Sequence, residues 1–142
     1  MRGWYLRRGN GRVGVMLKLM TFEETIKRYE AGENAFDLAI EKWERIREAI
    51  KSAHTIQHFI LIAQGATIKV ALCVEYNDTC HLCPLEAICN RETEGPFSTV
   101  MRAMQAYCMA GDVLPPSPLI NLVDQLIADL ETTKTAYMKL RH

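Results

Sequence analysis

Four cysteines fall inside the segment CVEYNDTCHLCPLEAIC, residues 73 to 89, with the spacing C-x6-C-x2-C-x5-C: Cys73, Cys80, Cys83 and Cys89. A two-residue gap lets the sulfurs of Cys80 and Cys83 point at one centre from a tight turn, as zinc and iron-sulfur ligation require. Pro84 suits the first turn of a helix, which puts Cys83 at an N-cap and Cys89 on the next turn, pointing back. Free amides and the positive helix end then face the centre and favour the negative charge of the thiolates. Two disulfides would use the same four residues, but a cytosolic setting opposes them. Four unrelated core thiols would sit oddly around the polar run YNDT. Zinc is the rival metal, because tetrahedral thiolate sites also use C-x2-C pairs, although usually as two well-separated knuckles.

With Cys83, Pro84 and Leu85 included, this spacing resembles the iron-sulfur loop that closes helix-hairpin-helix DNA glycosylases of the endonuclease III and adenine glycosylase type. The resemblance covers seventeen of 142 residues. It implies that Cys73, Cys80, Cys83 and Cys89 are the four ligands of a 4Fe-4S cluster. The C-x2-C-x5-C part is also similar to the C-terminal cysteine cluster of RecB-type nucleases, which take their remaining cysteine from far upstream. What performs the chemistry in either family is missing. The six-residue loop between the first two ligands, typically basic in the glycosylases, is VEYNDT here, and its Glu75 and Asp78 would repel a phosphate. No L-P-G-V-G hairpin, no catalytic Lys and Asp between a hairpin and the cluster, and no RecB-type Asp followed by Glu-x-Lys is legible. The resemblance therefore implies a cluster without the chemistry of either enzyme.

Other residues with chemical potential have plainer readings. His54 and His58 lie one helical turn apart, a spacing that can place two imidazoles on one metal, but without the Glu of an HExxH motif they read as a partly buried polar pair. His81 reads as a donor to a cluster sulfide, and Cys108 as a buried free thiol or, near the cluster, a spare ligand. Met101, Met104 and Met109 are at helical spacing and read as core. No phosphate-binding loop, nucleophile elbow or Ser-His-Asp set can be drawn, so an independent enzyme is not expected.

The elements that must position the cysteines read as helices. Thr21 and Glu24 form a capping box for a short helix with Phe22, Ile26 and Tyr29 on one face, ended by Gly32. Asn34 caps the next, in which Phe36, Ile40, Trp43, Ile46 and Ile50 recur at steps of three and four. Residues 52 to 64 are apolar nearly all round and predict a buried helix bent or interrupted at Gly65; residues 66 to 76 predict a further helix. Pro96 and Ser98 open a helix carrying Val100, Met104 and Tyr107 and closed by Gly111. Ser117 and Pro118 open the last, whose Leu119, Val123, Leu126, Leu130, Thr133, Tyr137 and Leu140 form a seam for a partner helix. The expected fold is an all-α single-domain helical bundle: residues 1 to 20 a basic arm or short hairpin, residues 21 to 142 the helical domain that contains the cysteine cluster.

The formal charge is zero, yet the first twenty residues carry five basic groups (Arg2, Arg7, Arg8, Arg12, Lys18) and no acid, leaving the rest net negative by five. A nucleic acid would have to be met through that arm. No uninterrupted apolar run approaches the roughly 18 residues of a membrane span, and no secretory signal is legible, so the expectation is a cytoplasmic chain with no membrane role. Together these readings predict a small iron-sulfur protein whose 4Fe-4S cluster is mainly structural. It would act as a binding or accessory module, with a protein partner or a second copy met through helix faces. The alternatives are a zinc-stabilised helical adaptor and an electron-transfer or redox-sensing protein.

Overall fold

The computed structural model describes residues 18–76, 82–89 and 95–140. Seven helices and no strand occur among the described residues: α1 (Phe22–Glu30), α2 (Ala35–Ser52), α3 (Ile56–Ala66), α4 (Ala71–Glu75), α5 (Glu86–Cys89), α6 (Pro96–Ala110) and α7 (Ser117–Leu140). Most of the N-terminal arm, and the expected hairpin around Asn10 and Gly11, lie outside the described residues.

Local chemistry sets the helix starts. The Thr21 hydroxyl accepts from the Glu24 amide, Asn34 Oδ1 from the amides of Phe36 and Asp37, and the Thr55 hydroxyl from the His58 amide. α1 closes as a Schellman turn, in which the Gly32 amide donates to Tyr29 O and the Glu33 amide to Arg28 O while Gly32 takes φ of 102°.

α7 packs on α2 and α6, and α3 on α6 and α2, and their apolar stripes make the core: Phe36, Trp43, Ile46 and Ile50 from α2, Phe59 and Ile62 from α3, Val100, Met104 and Tyr107 from α6, and Leu119, Val123, Leu126 and Leu130 from α7. The α7 seam is thus filled mainly by the chain's own α2 and α6; Tyr137 stacks at 5.3 Å on Phe36, and Leu140 is exposed. Of the three methionines expected in the core, Met104 is buried, Met101 packs half-buried against it, and Met109 is exposed. A smaller cluster of Met20, Leu38 and Ala71 seats α4 against α2 and ties the end of the N-terminal segment into the fold.

Two boundaries differ from expectation. The helix expected over residues 52 to 64 begins only at Ile56, because α2 runs on to Ser52 and Thr55 supplies a cap. The helix expected over residues 66 to 76 is reduced to Ala71–Glu75, the β-branched Thr67, Ile68 and Val70 occupying the connection before it. The expectation about membrane length also needs correcting. The 18-residue stretch Ile56–Cys73 is long and apolar enough, by composition alone, to cross a membrane, because its few polar residues break the continuous run without much lowering the average. In the fold it covers α3, a connection and the start of α4, and its Phe59, Ile62, Ala66, Ala71 and Leu72 serve the core.

Candidate metal centre

Cys73 lies half-buried on α4, whose Ala71 and Leu72 are fully buried beneath it. Two hydroxyls fix this short helix. Tyr29 Oη on α1 donates to Glu75 Oε1 at 2.7 Å, which raises the Tyr29 pKa and keeps the phenol protonated. Tyr76, just past α4, hydrogen-bonds to Tyr137 on α7, and that bond first, then burial, raises its pKa. Glu75, one of the acids that set this loop apart from the glycosylases, therefore has a structural partner, whereas Asp78 lies outside the described residues.

Cys83 opens the turn into α5 as the Cys-Pro pair leads one to expect. Its carbonyl accepts from the Glu86 amide at 3.0 Å, and its Sγ accepts from the Leu85 amide at 3.4 Å. An amide aimed at sulfur favours the thiolate. Leu85 and Ile88 bury their side chains in the main core and so anchor the turn, leaving Cys83 half-buried and Cys89, the last residue of α5, exposed. Gly95 passes so close beneath that a Cβ there would lie 2.9 Å from Ala87 O and 3.0 Å from Ile88 O.

A buried residue was missed by the sequence reading. Lys42 of α2 is 5 % exposed; its Nζ donates to Ala66 O at 2.9 Å and Ile68 O at 2.6 Å, and lies 5.3 Å from the centroid of the Trp43 ring. The ammonium thus caps the C-terminal end of α3. Burial pushes its pKa down to about 8, against smaller electrostatic contributions from Cys73 and Cys89. A signal was present in the sequence. Lys42 falls on the same stripe as Leu38, Ala39, Trp43 and Ile46, where a solvated lysine does not belong.

Cys73 on α4 and Cys89 at the end of α5 each contribute weakly to the electrostatics of Lys42, and Cys83 to those of Tyr76. No disulfide joins Cys73, Cys83, Cys89 or Cys108 among the described residues. Among the described residues, no three His, Cys, Asp or Glu side chains close into a group that would hold a metal ion, and both Cys80 and His81 lie outside those residues. His54 and His58 form a helix start instead of a second site: His58 Nδ1 accepts from the His54 amide at 3.1 Å while Thr55 accepts from the His58 amide. Cys108 donates to Phe59 O at 3.6 Å, and burial raises its pKa. No family model, curated protein or solved structure matches this chain.

Proposed function

We propose that Cys73, Cys80, Cys83 and Cys89 hold a 4Fe-4S cluster whose role is mainly structural, in a cytoplasmic protein that serves as a binding or accessory module. The observation that supports this reading is that Cys83, whose sulfur accepts from the Leu85 amide, opens the turn into the short helix that ends at Cys89, while Cys73 lies on a second short helix, each too small to be stable alone. A shared thiolate centre would fasten α4 to α5 across residues 77–81. Bound there, the cluster would supply cross-linking energy, and four protein ligands leave no iron open for substrate. The partner is a protein, because the chain beyond residue 20 is net negative by five.

The test is anaerobic purification followed by iron, sulfide and zinc analysis and visible absorption. About four irons and four sulfides with a broad visible band are expected, a stoichiometry set by the cluster type. Cys80→Ser should abolish both and loosen the fold. A colourless protein with one zinc would end the iron-sulfur assignment and leave the zinc adaptor, and a protein with no metal would end both. Salt-sensitive binding to duplex DNA at low salt would overturn the choice of a protein partner.

A further inference from the structure

The seam expected on α7 is filled from within the chain, so a partner helix would have to meet another face. α6 leaves one open. Its buried side is Val100, Met104 and Tyr107. The opposite side is Arg102, Gln105, Ala106 and Met109, continued by Asp112 and Val113 in the next turn, all exposed and recurring at steps of three and four. That turn keeps the helical course, since the amides of Val113 and Leu114 both donate to Ala110 O. Met109 and Val113, four residues apart on the stripe, are 79 % and 77 % exposed. The outward faces of the other long helices carry charge in such places: Asp37, Glu44, Glu48 and Lys51 on α2, and Asp124, Glu131 and Lys139 on α7. On the α6 stripe the charges are Arg102 toward one end and Asp112 toward the other, with uncharged Gln105, Ala106 and Met109 between them. Apolar side chains gathered on one exposed stripe mark a contact surface.

We propose that this stripe is the contact between two copies of the chain, with α6 of one lying antiparallel on α6 of the other about a two-fold axis at the middle of the stripe. Arg102 of each copy then meets Asp112 of the other, and Met109 of each covers Gln105 and Ala106 of the other. A parallel pair would set like charges side by side. A guanidinium has five donors and can serve several acceptors, as Arg28 does here with Glu24, Glu33 and Glu41, so the contact asks for only part of Arg102. A different protein would need its own matching pair of charges, whereas a second copy has them by symmetry. The formal charge of the chain is zero, so two copies approach without net repulsion. One helix pair falls at or below the small end of stable interfaces, about 1,200 Å², so the dimer is weak and forms as concentration rises. The inference rests on the binding-module reading for the idea of a protein partner and owes nothing to the cysteines.

The test is sedimentation equilibrium of the full chain over a wide concentration range, with metal content measured on the same samples. Wild type is expected to pass from monomer to dimer. Met109→Glu, at a position too exposed to matter for folding, should weaken association about tenfold or more and leave the melting temperature unchanged. Arg102→Asp and Asp112→Arg should each weaken it too, since each alone sets like charges together. An equimolar mixture of those two variants should recover association, because each supplies the charge the other lacks. Met109→Glu and Asp112→Arg carry the test by themselves if Arg102→Asp melts early. A monomer at every soluble concentration would overturn the proposal and leave the stripe to a different protein. So would a dimer indifferent to Met109→Glu, or a mixture of well-folded charge variants that associates no better than its components. A monomer that retains iron or zinc overturns this inference alone, whereas a dimer without metal overturns only the thiolate reading.

Discussion

The side chains that hold the cysteine helices are not themselves cysteines. Tyr29 reaches from α1 to Glu75, forty-six residues on in the chain, and its 2.7 Å bond to a carboxylate is charge-assisted. Because the phenol pKa is raised above its ordinary 10, this donor stays protonated at neutral and mildly alkaline pH. Tyr29→Phe should therefore cost about 1 kcal/mol in urea unfolding, the usual worth of one such bond at a partly exposed site. It should also speed amide exchange in residues 71–76, and exchange there that matches wild type would mean Glu75 does not anchor α4. At this scale the sequence was half legible. The spacing of Cys83 and Pro84 gave the capped turn, but the roles of Glu75 and Lys42 depend on contacts with α1, α3 and α4 that no local pattern contains.

Among the elements, α2, α6 and α7 were readable because each combines a cap or proline start with a long apolar stripe, so local preference and burial agree. Residues 52 to 76 were harder, since an apolar run shows neither face nor period and cannot reveal where it breaks. The break falls at Thr55, whose hydroxyl bonds the His58 amide, and again before Ala71. α5 is the extreme case, with four helical residues held by burial of Leu85 and Ile88 and by close passage of the chain at Gly95. A methyl group added there meets two backbone carbonyls, which cannot rotate away as a flexible side chain would. Gly95→Ala is expected to destabilise the fold by about 1–3 kcal/mol, the range for overpacking a tight contact. An unchanged melting temperature would show that the approach is looser than 2.9 Å.

For the whole molecule, charges on α1, α2 and the turn between them form a lattice. The Arg28 guanidinium meets Glu33 through Nε and Nη2, Glu41 through Nη1 and Nη2, and Glu24 through Nη1; Arg45 bonds both Glu24 and Glu41. Bidentate geometry and shared partners lift such a network above isolated surface pairs, whose worth is close to nothing. Glu41 is at its centre. The Arg28 hydrogen bond, with Arg45 adding to it against the opposing effect of burial, pulls its pKa from the ordinary 4.5 to about 2. A carboxylate whose folded pKa is depressed contributes its full stability above the unfolded value and loses it as pH falls through the folded one. The contribution of Glu41 should accordingly be complete above pH 4.5, decline below that, and be gone near pH 2. Glu41→Gln removes the charge while Arg28 keeps Glu24 and Glu33 and Arg45 keeps Glu24, so the loss at neutral pH should be modest, about 1 kcal/mol. Unfolding curves of the two proteins should stand furthest apart above pH 4.5 and converge toward pH 2, with the separation reduced in high salt. Curves that stay parallel through that window would mean the arginines fix the α1 and α2 contact by packing their stems, with Glu41 contributing no charge to it.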